Sequence, residues 1–504
     1  MPKWNTFIFC EILKCNRLPF IWKRLQLETV EKAIIKLDKL GAIHVRKHHL
    51  SIFFIFVFGA LGGLLFGFDT GIISGASSLI ENDFSLNVEQ TGFITSSVLI
   101  GSSVGALSIG SLSDKYGRKK LLLLASILFL VGSGLSMVAT GFVSMIIARI
   151  ILGFAVGSAS ALTPAYLAEL ADAPHRGSLG TMFQLMITLG ILLAYMSNLG
   201  FLHHNLLGIR DWRWMLGSAL IPAAILFIGS LILPESPRFL VEKGRIDEAK
   251  SVLHGLRENT TEDPDKELAE IQSVANQPKG GLKELFTFAR PAVVVAVGLM
   301  FLQQLVGINS VIYFLPQVFI KGFGFAEGNA IWISVGIGVV NFVCTILAYK
   351  IMDKFNRRTI LLFGSVVMAV SIGIRSVLNF TLSVQAAAVP TMILIAIYIF
   401  GFAVSWGPIC WLMIGEIFPL NVRGVGNSIG SAANWIGNFI VSQFFLVLLS
   451  AFHNNVGGPF AVFTFFAIVS IFFVIYFVPE TRGKSLEEIE MEMRKQSADK
   501  AAAK

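Results

Sequence analysis

Twelve runs of about twenty mostly apolar residues divide this 504-residue chain, and nothing else in it narrows the fold so far. An α-helix rises 1.5 Å per residue and the hydrocarbon core of a bilayer is about 30 Å thick, so each run matches one membrane crossing. The expected spans cover roughly 52–80, 91–112, 121–140, 143–167, 178–199 and 213–233, then 292–319, 329–351, 359–379, 388–414, 425–450 and 459–478. Composition agrees: 54% of residues are hydrophobic and only 14% charged, where soluble domains carry about 25% charge. Such a chain cannot cover a soluble surface with polar groups. It reads as an all-α membrane protein with twelve transmembrane helices.

The charges lie between and beyond the spans. Residues 1–50 form a basic extension, 51–233 a first six-helix bundle, 234–290 a linker, 291–479 a second bundle and 480–504 a charged tail. The linker carries 20 charged residues, and patterns such as VEKGRIDEAKSVL read as short soluble amphipathic helices. Residues 25–40 read either as a surface-lying amphipathic helix or as a plain extension. The loops after spans 2, 4, 8 and 10 hold most of the loop Lys and Arg, among them Lys115, Arg118, Lys119, Lys120, Arg176, Lys354, Arg357, Arg358 and Arg423. The opposite loops hold Arg210, Arg213 and Lys321. Cytoplasmic loops carry the basic excess, so both termini and the linker are expected in the cytoplasm.

Several classes fall away. The net charge of +8 is not gathered on one polar domain, so nucleic acid is not an expected partner. The four cysteines (Cys10, Cys15, Cys344, Cys410) have no framework spacing, and no metal site is expected. Glu11, Lys14 and Arg17 interrupt the only early apolar run, so no signal peptide is expected.

An internal repeat organises the rest. DKYGRK at 114–119 is answered by DKFNRR at 353–358, and Glu169 with Arg176 by Glu416 with Arg423. PESPR at 234–238 is answered by PETRG at 479–483. Three landmarks recurring in one order imply duplicated six-helix halves, an arrangement that places a substrate site at the midplane between them.

At this point the chain resembles the sugar porter family of the major facilitator superfamily over about residues 50–490. The resemblance rests on GGLLFGFDTGIISGA (62–76), GSLSDKYGRK (110–119), ARIILGFAVG (148–157), PESPRFL (234–240), QQLVGINSVIYF (303–314), GPICWLMIGEIFP (407–419) and PETRG (479–483). Two spellings depart from the family's: Asn356 stands where glycine is usual, and the loop after span 4 reads AELADAPHRG. The resemblance implies two pseudo-symmetric six-helix bundles, the major facilitator fold.

Asp69 and Arg149 are ionisable groups within apolar spans, where an uncompensated charge costs at least about 2.5–3.5 kcal/mol. They are expected to pair. Burial disfavours an ionised carboxyl and a neighbouring Arg favours it, so a small change of geometry can take up or release a proton. The resemblance adds that Asp at this place accompanies proton coupling, whereas a permanent structural ion pair is the plainer alternative. A neutral polyhydroxyl substrate needs amides and flat apolar faces, and the candidates at lipid depth are Gln184, Gln303, Gln304, Asn309, Asn341 and Asn434, with Trp411. Interhelical bonding is the competing role for each amide.

Gln303 and Asn309 would face apart on a straight helix. Span 7 is therefore expected to break at Gly307, with Pro316 as a second place, and Tyr313 and Trp435 act as gates. Gly401, Gly407 and Pro408 suggest a similar interruption in span 10. Asp114, Arg118, Glu169 and Arg176, and Asp353, Arg358, Glu416 and Arg423, are expected to form charge networks at cytoplasmic helix ends. Each of these charges also serves topology alone as the alternative.

The expected function is import of a neutral monosaccharide, a hexose or pentose, with protons by alternating access. Facilitative uniport, polyol (inositol) symport and a membrane sugar sensor stay open. An enzyme is not expected, since no His, Cys and carboxylate cluster lies at lipid depth, and GxxxxGK[ST] is absent. No cofactor is expected, the proton gradient supplying the energy. The expected setting is a plasma membrane (a bacterial inner membrane in a prokaryote), with the lipid bilayer as surroundings and a monomer as the working unit.

Overall fold

The computed structural model describes residues 52–170, 176–204, 206–258, 263–275, 285–286, 289–352, 354–378, 382–418, 422–453 and 455–481. The basic extension, with its stretch 25–40, and nearly all of the tail lie outside the described residues. Among those described, twelve helical segments are long and apolar enough to cross a membrane. The first five are α1 (Ile52–Asp83), α2 (Val88–Tyr116), α3 (Arg118–Met137), α4 (Phe142–Leu170) and α5 (Arg176–Phe201). The sixth comprises α6 (Asp211–Ser218) and α7 (Leu220–Ile232). Three short linker helices follow: α8 (Pro237–Glu242), α9 (Ile246–Arg257) and α10 (Pro264–Ala275).

In the second half, span 7 is divided into α11 (Arg290–Leu305) and α12 (Ile308–Phe323). The chain continues through α13 (Glu327–Ile351) and α14 (Arg357–Leu378). Span 10 is divided into α15 (Val384–Ala403) and α16 (Trp406–Glu416), and α17 (Arg423–Ala451) and α18 (Gly457–Phe477) complete the set.

Lipid tails are as apolar as leucine, so helices in a bilayer associate through close packing of small residues. In α1, Gly63, Gly67, Gly71 and Gly75 recur every fourth residue along the face that meets α5. A Cβ at Gly63 would stand 2.6 Å from the Phe183 carbonyl oxygen, and one at Gly71 2.8 Å from that of Ile191. Gly101 and Gly105 of α2 lie against the backbone of Ile150 and Phe154 on α4, and Gly153 and Gly157 of α4 against that of Val98 and Ser102 on α2. These stripes hold the first bundle together.

The packing repeats between halves. Span 1 lies on span 5 as span 7 lies on span 11, and span 3 lies on span 6 as span 9 lies on span 12. Two contacts join the halves along their length: α2 with α17, and α5 with α13. Exchanging the halves turns one of these contacts into the other, as a two-fold axis along the membrane normal requires.

The linker packs on the end of the first bundle. Leu240, Val241, Ala249, Leu253 and Leu268 form a small apolar cluster between its helices. Arg257 pairs with Glu267 and donates to the Leu170 carbonyl at the end of α4 (3.0 Å), while the Tyr166 hydroxyl donates to the Pro234 carbonyl (2.6 Å).

Candidate functional site

Asp69 and Arg149 meet in the interior of the first bundle. Asp69 is 3% exposed and Arg149 fully buried, and one guanidinium nitrogen, Nη1, donates to the Asp69 carboxylate. Nε and Nη2 of Arg149 are buried with no hydrogen-bond partner. The cation is thus held through a single nitrogen, and protonating Asp69 removes the charge that compensates it. Phe66, one turn earlier on α1, lies with its ring centroid 4.7 Å from that of Trp435 on α17. The ion pair therefore sits one helical turn from a contact between the two halves.

The two interrupted spans bring the amides together. Gly307 adopts φ 92°, a left-handed conformation that glycine takes without steric cost. This turns the chain between α11 and α12 and lets the Asn309 amide donate to Gln304 Oε1 at 2.7 Å. Gln304 in turn donates to Gln303 Oε1 (3.3 Å), and so does Asn434 of α17 (2.6 Å). Gln303 Nε2 donates to the Trp406 carbonyl at the start of α16 (2.7 Å). Four of the expected amides thus form one network, buried except at the half-buried Asn309, and the Asn434 carbonyl oxygen within it has no partner. Pro316 lies inside a continuous α12, so span 7 breaks once. In span 10 the interruption falls at Val404 and Ser405, between the expected glycines.

The other expected residues lie on both halves. Gln184 of α5 lies against Gly407, where an added Cβ would stand 3.2 Å from its amide nitrogen. Its neighbour Phe183 meets Trp411 edge-on at 5.8 Å. Trp435 donates from its indole nitrogen to Ser160 Oγ of α4 at 3.2 Å. Tyr313 is buried on α12. Asn341 is buried on α13, on the element facing α5, and its side chain does not join the network. Both halves therefore contribute to one central region.

The halves are also joined at the end opposite the linker. Lys321 of α12 pairs with Glu81 of α1 (2.9 Å), Gln317 donates to Ser77 Oγ (3.0 Å), and the Tyr195 hydroxyl donates to the Ile312 carbonyl (2.9 Å). Ser96 Oγ of α2 likewise donates to Gln443 Oε1 of α17 (2.6 Å), between the halves.

On the linker side, Arg118 pairs with Glu169 (3.0 Å) and Asp114 (3.4 Å). Residues that the sequence reading passed over complete this network. The Glu235 carboxylate accepts from the backbone N–H groups of Arg118, Lys119 and Ser236, capping the start of α3. Burial pushes the Glu235 carboxyl above the usual carboxylate range, while those N–H groups pull it down.

The second half uses a different arginine from the one expected. Arg357, not Arg358, faces Glu416 (3.8 Å), and it also donates to the Met352 carbonyl (2.7 Å). Arg358 donates instead to the Ile475 carbonyl. Glu480 caps the start of α14 through the N–H groups of Arg357 and Arg358, as Glu235 caps α3. Alignment of DKYGRK with DKFNRR places Arg357 opposite Arg118, and this register was the signal for it. Asp353 and the side chains of Arg176 and Arg423 lie outside the described residues.

A family model described as sugar (and other) transporter matches residues 55–493. The chain is 46% identical over 455 residues to a D-xylose transporter of Levilactobacillus brevis, covering 90% of this chain and 98% of that protein. It is 37% identical over 454 residues to a galactose-proton symporter of Escherichia coli K12, covering 89% and 96%. Among solved structures, the major facilitator superfamily proton:xylose symporter XylE bound to 6-bromo-6-deoxy-D-glucose superposes with a TM-score of 0.76 at 32% identity. That match covers 88% of this chain and 99% of that one.

Proposed function

Because the chain belongs to the sugar (and other) transporter family, a family of multi-pass membrane carriers and not of enzymes, we propose that it imports a neutral monosaccharide, hexose or pentose, together with protons. The observation that carries this reading is a neutral amide network at two interrupted helices, joined to a buried Asp–Arg pair through Trp435, which follows Asn434 in α17 and packs on Phe66, one turn of α1 from Asp69. Amides offer both donor and acceptor to sugar hydroxyls, and Trp411 offers an apolar face to the ring. The unpartnered Asn434 carbonyl oxygen is a ready acceptor for a hydroxyl. The names of the relatives, a D-xylose transporter and proton symporters for galactose and xylose, support both halves of the proposal.

In this reading Asp69 takes a proton from the outer side, and its hold on Arg149 weakens. Sugar gathers the amides of both halves, and α12 closes against α1 through Lys321–Glu81 and Gln317–Ser77. The halves then part on the linker side, where Arg118–Glu169 and Arg357–Glu416 rearrange. A ligand shifts such an equilibrium only by its differential affinity for the two arrangements, and the amide network supplies that difference. The linker and both termini face the cytoplasm in this scheme, the membrane is the plasma membrane, a monomer suffices, and the proton gradient replaces any cofactor.

The test is a panel of labelled sugars in a transport-deficient host, with the pH of a weakly buffered medium recorded. A transported sugar should raise the external pH as protons enter with it. Uptake with no alkalinisation would identify a uniporter. No uptake of any sugar would remove the reading.

A further inference from the structure

An interrupted helix leaves backbone carbonyls without their usual partners, and at membrane depth neighbouring side chains must supply the missing donors. Here each span sends a side chain to a carbonyl at the other's interruption; the Val306 carbonyl lies in the break itself, whereas the Trp406 carbonyl lies in the first turn of α16 and keeps its place in that helix's own ladder. At the first, Val306 and Gly307 separate α11 from α12, and the Tyr398 hydroxyl of α15 donates to the Val306 carbonyl at 2.8 Å. At the second, Val404 and Ser405 separate α15 from α16, and Gln303 of α11 donates to the Trp406 carbonyl at 2.7 Å. Tyr398 and Gln303 are both buried, at 0% and 2% exposure. The two hydrogen bonds run in opposite directions between the same two spans and close a loop around both interruptions.

From this reciprocal bracing we propose that Tyr398 is a positioning residue that couples the two mobile segments, so that α12 and α16 change arrangement together. The proposal rests on the transport reading above and gives it a specific coupling element. Trp406 is fixed from a third side, its indole nitrogen donating to Ser365 Oγ (2.8 Å) and to the Leu361 carbonyl (3.1 Å) of α14. Ser405 Oγ closes the last turn of α15 onto the Gly401 carbonyl. The start of α16 is therefore held, and its remaining link to span 7 passes through Gln303. Gln303 also accepts from Asn434 and Gln304, the residues proposed to meet sugar. A sugar hydroxyl that competes for the Gln303 amide disturbs the hold on Trp406. Tyr398 transmits the same disturbance to Val306, where α12 begins its movement. Tyr398 itself touches no sugar in this scheme.

The experiment places one reporter cysteine at Ala326, just past the outer end of α12, and another at Gly415, near the inner end of α16, each in a background with native cysteines replaced by serine. An added Cβ at Gly415 meets no heavy atom within 4 Å. Labelling rates are measured against sugar concentration in proteoliposomes, with Tyr398 intact and with Tyr398→Phe, which removes only the hydroxyl. With Tyr398 intact, both reporters should respond at one half-saturating sugar concentration. In Tyr398→Phe the two midpoints should separate by at least about threefold, and net uptake should fall about tenfold while equilibrium sugar binding stays within about threefold. A purely structural hydroxyl would lower the amount of folded protein and leave the midpoints together, which would overturn the proposal. Should Tyr398→Phe fail to assemble, two different midpoints in the Tyr398 protein alone would overturn it equally. Failure of the transport reading looks different: no sugar would move either reporter in any protein.

Discussion

Replacing Asp69 by asparagine removes the carboxylate charge and keeps nearly the same shape, so it isolates what the charge does. Arg149 has no exposed surface, and Asp69 is its ion-pair partner among the described residues; two of its three guanidinium nitrogens are already unpartnered. Without Asp69 the guanidinium becomes a buried uncompensated cation, a change that costs about 3–5 kcal/mol. At about 1.36 kcal/mol per factor of ten, this disfavours the present arrangement by between two and four powers of ten relative to one that hydrates Arg149. A near-complete switch from 1:99 to 99:1 takes about 5.5 kcal/mol, so a shift of this size populates the other arrangement heavily without emptying the first. In proteoliposomes, Asp69→Asn should keep exchange of labelled sugar across the membrane and lose accumulation driven by an imposed pH gradient. Adding Arg149→Gln should restore most of the melting temperature, because the orphaned charge is gone, and should not restore accumulation. An Asp69→Asn protein that accumulates sugar at the unaltered rate would refute the reasoning. Loss of exchange together with accumulation would reduce the pair to a structural one.

Three further outcomes follow from the same geometry. Asn434→Leu removes the carbonyl oxygen proposed to accept a sugar hydroxyl and should raise the sugar KM about fivefold or more, since a lost buried hydrogen bond costs about 1–3 kcal/mol; initial-rate kinetics check this against membrane abundance. Arg357→Gln should cut turnover about tenfold whereas Arg358→Gln should leave it within twofold, because Arg357 faces Glu416 and Arg358 does not. Glu235 carries a carboxyl raised by burial, so its share of stability is present below the usual carboxylate range and lost as pH rises through the raised value. The melting temperature of the Glu235 protein relative to Glu235→Gln should therefore fall as pH rises through that window, and a difference independent of pH would contradict it.

The spans, their division into six and six, and the glycine at the first interruption were legible because each depends on local sequence: apolar length, duplication and one residue's permitted φ. The pairing of Asp69 with Arg149 was legible because each is a charge within an apolar span. Other features depended on register and packing. The choice between Arg357 and Arg358 turns on one position of alignment, and only alignment with Arg118 distinguishes them. The interruption of span 10 lies at Val404 and Ser405, residues with no intrinsic tendency to break a helix; it is flanked by the Ser405 hydroxyl on the Gly401 carbonyl and by Gln303 on the Trp406 carbonyl. Tyr398 sits in the apolar run IAIYIF, where its hydroxyl gives no local sign that it serves a carbonyl 92 positions away. The capping roles of Glu235 and Glu480 were likewise hidden, although both lie in the repeated PES and PET landmarks whose recurrence marked them as structural.

The central claim is that a proton gradient drives a neutral sugar through this protein. Purified protein in proteoliposomes, acidic outside and neutral within, tests it directly. Labelled sugar should concentrate inside well above its external level, and a protonophore should release it down to equality. Sugar that merely equilibrates, with or without the gradient, would contradict the claim.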